Sequence, residues 1–452
     1  MNEKKDRRHF KSTSRIRTIT DGFLILIAIG TLLLSMPFAK AGEGRADIIS
    51  ALFTATSAAC VTGLSVVDTA SYWSFGGRLI ILMLIQVGGL GVMMMGAMAA
   101  MAVRKKITIG QRMLLSTSLN LDEVSGIVRL ARTIILGTAM FEGIGAALLT
   151  LLFMRDFGFW GALERGIFIS ISAFCNAGFD NLGVGGDFAS ITAYGGSAPV
   201  LAVLAVLIIV GGIGFYVWND TLEYIRGGRR LSLHSRIVLS TTAILLAGGT
   251  IGFLLTESRS SVACGSGLVR VVQCFFQSVT VRTAGFDHLG QGSLTSASRA
   301  LGNILMFIGG SPGSVAGGVK TTTAAVIALS AVSSLYGRKQ VTVFERTIPR
   351  STIDQAYTLV MLAAIAATGG ALTMSIIEGI EFDAALYECV SAVAPVGLST
   401  GITPGLGIFS QLLLVFLMFL GRVGIITVGM AALMKGRPDD SIRLPEGKVI
   451  IG

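Results

Sequence analysis

Eight long apolar runs alternate with four short ones along this chain, and that alternation constrains everything else. The long runs cover residues 22–38, 78–103, 134–154, 198–216, 237–255, 301–335, 357–377 and 408–434. A helix needs about 20 apolar residues to cross about 30 Å of hydrocarbon, so each long run is predicted to span a bilayer. The short runs, 48–60, 162–175, 269–279 and 384–394, lie between the members of successive pairs and are too short to cross. They are predicted to be half-helices that enter the membrane and return. The chain is 52% hydrophobic, only 14% charged and has a mean hydropathy of +0.75, which excludes a soluble globule.

Each half-helix ends in a related phrase: Val61-Thr62-Gly63, Asn176-Ala177-Gly178, Thr283-Ala284-Gly285 and Pro395-Val396-Gly397. The glycines are 115, 107 and 112 residues apart, the spacing of one duplicated unit. A second mark recurs in the same order: Val87-Gly-Gly-Leu-Gly91, Val210-Gly-Gly-Ile-Gly214, Ile308-Gly-Gly-Ser-Pro312 and Leu420-Gly-Arg-Val-Gly424. The predicted fold is therefore an all-α polytopic membrane protein. Its eight transmembrane helices form four parallel span–pore half-helix–span repeats around one central pore. A tail (1–20) precedes repeat one (21–106), a linker with repeat two (107–229), repeat three (230–338), repeat four (339–434) and a second tail (435–452).

Charge sets the expected orientation. With both termini in the cytoplasm, 25 Lys and Arg fall on the cytoplasmic side and nine on the outer side or in re-entrant loops, with Lys320 and Arg422 left inside spans. That bias matches the rule that cytoplasmic loops are basic. The net charge of +10 collects at span ends rather than in one patch, which argues against nucleic acid and is also what anionic lipid would attract. Five cysteines, an odd number, give no disulfide framework, and Cys264 alone lies in a polar loop. The basic residues before 22–38 and the Ala39-Lys40-Ala41 string imitate a cleavable signal. The repeat needs this segment, so it is read as a retained span.

Four parallel units can present their glycine phrases to a common axis, where rings of backbone carbonyls replace the hydration shell of a monovalent cation. Glycine permits the conformations that turn carbonyls inward. Asp180 and Asp287, just beyond the second and third glycines, would add negative potential at the mouth. These phrases, with the Gly-Gly-Ser-Pro-Gly string in the third unit and an arginine in the last span, resemble the Trk/Ktr/HKT superfamily of potassium transporters over nearly the whole chain. The absence of extra N-terminal spans is most similar to the Ktr-type membrane subunit. The resemblance implies potassium as substrate at the filter carbonyls, a homodimer with one pore per subunit in a bacterial inner membrane, and no covalently bound cofactor. It also implies a separate cytosolic nucleotide-binding regulatory ring, through which alone nucleotide would act. In that superfamily a serine at the first filter position accompanies sodium transport. Here Gly63 and the other three are glycine, which favours potassium, with sodium as a candidate activator.

The third unit departs from the others. Gly309, Gly310, Ser311, Pro312, Gly313, Ser314, Gly317 and Gly318, followed by Lys320, interrupt the run 301–335 and cannot continue a helix cheaply. Gly313 to Thr321 comes close to a phosphate-binding loop, but Val319 separates Gly318 from Lys320 and no strand precedes it. Aligning the second mark places Arg422 where the other units have Gly89, Gly212 and Gly310. A permanent cation beside the path of a cation repels it by roughly 4 kcal/mol at about 4 Å and an effective dielectric of about 20. Residues 309–320 and Arg422 are therefore read as a gate below the filter. Lys320 caps carbonyls freed by the loop or reaches cytoplasmic water. Glu142, an ionisable group inside a span, would pair with a basic residue or a hydroxyl. The glycines at 88, 89, 211 and 212 are either packing residues or pore lining. Inverted repeats around broken helices would instead make an ion-coupled secondary transporter. No spacing of His, Cys, Ser or Asp suggests an enzyme.

Overall fold

In the computed structural model the described residues are 2–424, apart from 92–93, 97, 99–109, 111, 114, 116–126, 228–229, 259–266 and 339. The expected tail 435–452 and Cys264 lie outside them. The helices are α1 (Asn2–Leu34), α2 (Ile48–Ala59), α3 (Phe75–Leu90), α4 (Ile127–Phe174), α5 (Ala198–Ile213), α6 (Phe215–Gly227) and α7 (Leu233–Thr256). They continue as α8 (Leu268–Thr280), α9 (Ser296–Phe307), α10 (Thr321–Leu335), α11 (Arg350–Glu378), α12 (Phe382–Val393) and α13 (Ile408–Val423). One small hairpin pairs Thr342–Val343 with Arg346–Thr347.

Local chemistry accounts for many helix starts. The Asp47 carboxylate accepts from the Ile49 and Ser50 amides, and Ser74, Ser232 and Thr295 hydroxyls accept from amides at Gly77, Ser235 and Ser298. α4 runs across the expected boundary between a span and a half-helix and is broken only at Gly158, whose φ of 66° leaves the helical region.

Among the described residues, three helices are long and apolar enough to cross a membrane: α4, α7 and α11. α5 and α6 pass the same test as a pair, bent by 96° at Gly214. The runs read from the sequence as continuous at 78–103, 198–216 and 408–434 differ from this. Their helices stop at Leu90, Ile213 and Val423, and the next residues, Gly91, Gly214 and Gly424, have φ of 89°, 104° and 102°. The cause is the shared phrase itself, since a glycine at positive φ ends a helix without a Cβ penalty. The third unit also breaks, over the thirteen residues from Ile308 to Lys320.

Large apolar side chains remain exposed along the outer helices, including Ile25, Leu32, Ile244, Ile251, Met361 and Ile376. A continuous surface of this kind is what a hydrocarbon solvent requires. Inside, α11 buries the small residues Ala363, Ala367 and Ala371 at one-turn spacing, which brings backbones close.

The short helices interlock the chain. α2 packs between α1 and α3, α8 on α7, and α12 between α11 and α13. Each also meets the neighbouring unit: α8 lies on α5, α12 on α9, α2 on α13, and α4 on α3. The succession closes on itself. Gly88, Gly211 and Gly421 make it possible, because a Cβ at each would collide with the last carbonyl of a short helix, at Ala59, Phe174 and Val393 respectively. The packing reading therefore holds for Gly88 and Gly211. Gly211→Val should lower the thermal-unfolding midpoint in detergent by the equivalent of about 1–3 kcal/mol. Gly143→Val, where nothing lies within 4 Å of the added Cβ, is the comparison and should shift it far less.

Candidate functional site

The four glycine phrases meet at the centre of this closed succession. An ideal Cβ on Gly63 would lie 3.1 Å from the Cα of Gly178; on Gly178, 2.9 Å from Gly285; on Gly285, 3.3 Å from Gly397; and on Gly397, 2.9 Å from Gly63. The ring therefore runs in chain order and returns to its start. Each glycine also abuts a carbonyl of the next phrase, at Ala177, Ala284, Val396 and Thr62. No side chain fits at any of the four positions.

The backbone repeats as well. Val61, Asn176 and Thr283 have φ of 57°, 57° and 67°, and Pro395, whose ring resists positive values, has 20°. Two residues later Gly63, Gly178, Gly285 and Gly397 have φ of 97°, 68°, 81° and 95°. The residue between them is not in the positive region. Alternating hands turn successive carbonyls to one side, whereas a strand sends them to opposite sides.

The amides are tied down on the outside. Thr62 and Ala177 donate to the carbonyls of Ser57 and Ser172 at 2.8 and 2.7 Å, Ala284 to Thr280 at 3.0 Å and Val396 to Ser391 at 2.8 Å. Gly63 and Gly397 donate to the hydroxyls of Ser57 and Ser391, each at 3.0 Å. Among the described residues no donor reaches a carbonyl of the twelve phrase residues. The result is a buried ring in which most N–H groups are occupied and the oxygens accept from no donor among the described residues, an arrangement that attracts cations. The short helices contribute, since they end directly at the phrases and carry roughly −0.5 charge at their C-termini.

The loop expected as a gate lies against the ring. A Cβ on Gly309 would sit 3.0 Å from the Thr283 methyl carbon, one on Gly317 3.0 Å from the Pro395 ring, and one on Gly318 3.3 Å from the Ala394 methyl. The loop is stitched by Gly309 donating to Val319 (2.9 Å), Thr321 to Gly310 (3.0 Å) and Ser311 to Gly212 (3.0 Å). Gly313 accepts from Phe215 at 2.9 Å across the α5–α6 bend, beside Pro312, whose carbonyl faces Gly214. Ser314 donates to the Ser311 carbonyl at 2.7 Å, and Lys320 Nζ donates to the Ala316 carbonyl at 2.7 Å. Arg422 donates to the Val315 carbonyl at 2.6 Å, the Gly89 carbonyl at 3.1 Å and the Gly88 carbonyl. One guanidinium therefore joins the end of α13, the end of α3 and the loop.

Several expectations change. Asp287 is enclosed by its own loop, accepting from Leu289, Gly290 and Gln291 amides and from Gln291 Nε2 at 2.7–3.1 Å, so it anchors the segment after Gly285. Asp180 accepts from Leu182. The Glu142 carboxylate accepts from Gln86 Nε2 at 3.2 Å and from the Cys175 thiol at 3.8 Å rather than from a base or hydroxyl, while its backbone carbonyl accepts from Ser170 Oγ at 2.7 Å. Sequence reading missed Ser57 and Ser391, six residues before their glycines, a position also held by Ser172. It also missed Glu388, fully buried beside the fourth phrase and accepting from Ser399 Oγ, the Thr400 amide and hydroxyl, and Thr403 Oγ1 at 2.6–3.0 Å.

The family described as TrkH, cation transport protein, matches residues 2–443. The chain belongs to the TrkH family. Its relatives include the potassium/sodium uptake protein NtpJ of Enterococcus hirae, 38% identical over 98% of both chains. The Ktr system potassium uptake protein B of Bacillus subtilis is 34% identical over 95% of both. The crystal structure of the potassium transporter TrkH from Vibrio parahaemolyticus superposes with a TM-score of 0.70 at 18% identity, covering 91% of this chain and 84% of that one. As a TrkH family member the chain is a membrane cation transporter and not an enzyme.

Glu388→Gln should destabilise the segment after Gly397, because an amide replaces a charged acceptor of four hydrogen bonds. The expected loss is about 1.5–3 kcal/mol, read as a lower unfolding midpoint and faster proteolysis within 398–406.

Proposed function

We propose that this protein carries potassium across a bacterial inner membrane through a filter made of the twelve phrase residues, and that four parallel units in one chain surround the pore. The observation that carries this reading is the closed ring of positive-φ glycines with free carbonyl oxygens. Carbonyl oxygens replace water around a monovalent cation, and the short helices direct their negative ends toward the same axis. Eight spans with both termini in the cytoplasm follow from the basic loops. The names of the relatives, which are potassium or potassium/sodium uptake proteins, support potassium as the cargo and leave sodium as a candidate activator.

In this reading residues 309–320 obstruct the path below the filter and Arg422 holds them there. The guanidinium is the cation that a passing ion would have to avoid, and its three carbonyl partners belong to the loop and to α3. Moving the loop releases one of them. Two such chains would form a homodimer with one pore each, regulated by a cytosolic nucleotide-binding ring at the basic loops.

Potassium-dependent growth of a transport-deficient bacterium tests the reading. Rescue is expected, alone or with a regulatory subunit, and failure by well-folded protein in the membrane would remove it. Arg422→Ala should raise potassium flux measured without a regulatory subunit by about tenfold, the value of one charge-assisted hydrogen bond of about 1.5 kcal/mol. Unchanged flux and unchanged regulation would take Arg422 out of the gate. Gly285→Ser, which places a Cβ against the Val396 carbonyl, should lower potassium-over-sodium discrimination in the same vesicles.

A further inference from the structure

Arg282 stands immediately before Thr283-Ala284-Gly285, where the matching positions hold Cys60, Cys175 and Ala394. It is 8% exposed, and among the described residues its guanidinium makes one hydrogen bond, from Nη2 to the Gly309 carbonyl at 3.4 Å, while its backbone amide donates to the Val279 carbonyl at 3.2 Å. Gly309 is the first residue of the loop. A Cβ on Gly309 would lie 3.0 Å from the Thr283 methyl carbon, so the loop base and the phrase of the third unit meet beside this arginine.

The guanidinium also lines a cavity between the second and third units, with Asn176, Gly212, Thr242, Leu246 and Gly310 among its walls. Three of the lining side chains carry buried polar atoms without partners: Arg282 Nε, both amide atoms of Asn176, and Thr242 Oγ1. Asn176 and Thr242 are 1% and 6% exposed. Buried polar atoms left unpaired cost about 1–3 kcal/mol each, and groups kept in that condition at a moving part are matched in another arrangement. A guanidinium has five donors and no acceptor, while the Asn176 carbonyl and the Thr242 hydroxyl supply acceptors across the same space.

Building on the gate reading above, we propose that Arg282 is a positioning residue that couples the loop to the filter. With the loop in place it holds the Gly309 carbonyl. When the loop base withdraws, the guanidinium turns into the cavity and donates to Asn176 and Thr242. Asn176 opens the second filter phrase, so withdrawal of the loop reaches the filter of a neighbouring unit. Two arrangements of one side chain, each with its own acceptors, make the bistable element that such coupling requires.

The test uses the full chain in potassium-loaded vesicles, reading flux and the potassium-to-sodium ratio. Arg282→Gln should lower unregulated flux and the ratio together, because it removes two bonds from the withdrawn arrangement and one long bond from the seated one. Thr242→Val, on α7 and outside filter and loop, should lower flux about tenfold by removing an acceptor from a charged donor while leaving the ratio unchanged. In the Arg282→Gln background Thr242→Val should add nothing. The same proportional loss from Thr242→Val in both backgrounds, or wild-type flux and ratio in Arg282→Gln, overturns the coupling. If Arg282→Gln does not fold, Arg282→Lys replaces it in the cycle with the same expectation. Absence of potassium flux in the wild-type protein would instead remove the transport reading.

Discussion

Every peptide group placed at membrane depth needs a hydrogen-bond partner, and this chain is organised by how it meets that demand where helices stop. Four short helices end inside the protein and four longer ones break beside them. The freed groups are divided unequally. Amides of the glycine phrases bond outward, to carbonyls and serine hydroxyls of the short helices, while the phrase carbonyls are kept unbonded. A structure that satisfied both halves would have no affinity for a cation. In the transport reading proposed above, a cation completes the open half.

The same demand explains why so many glycines are fixed in place. Gly88, Gly211 and Gly421 let the ends of the longer helices lie directly on the last carbonyls of short ones, so the break in one element supports the break in another. The third unit cannot do this, because thirteen residues, Ile308 to Lys320, replace the simple stop. Its loop turns to other partners: the α5–α6 bend, the guanidinium of Arg422 and its own Lys320. Each lies in or beside a different unit, which is how a local insertion becomes connected to the whole ring.

The ring was legible in the sequence because duplication is a strong signal: a phrase that recurs at nearly constant spacing must sit in equivalent places. Arg422 was legible for the converse reason, as the residue that breaks a shared phrase. Arg282 breaks a shared position in the same way, against Cys60, Cys175 and Ala394, but a charge count alone leaves it among the nine basic residues of the outer side and re-entrant loops. The helix stops at Gly91, Gly214 and Gly424 were hidden by apolar neighbours, since hydropathy records what surrounds a backbone and not which way φ turns. The anchoring roles of Glu388 and Asp287 could not be read. Their partners are two to fifteen residues away in loops, and nothing in composition distinguishes a carboxylate that faces an ion from one that folds its own loop.

Closure of the ring within a single polypeptide has a consequence for how such a pore can change. In an assembly of identical subunits any substitution appears at every quadrant, so a filter can only be altered symmetrically. Here each quadrant is written separately, with Thr, Ala, Ala and Val at its centre and a proline at one entrance. One wall can acquire a loop, a guanidinium or a different serine anchor while the other three keep their backbone geometry. The ring is fourfold in its backbone and onefold in its chemistry, so each quadrant can change by itself.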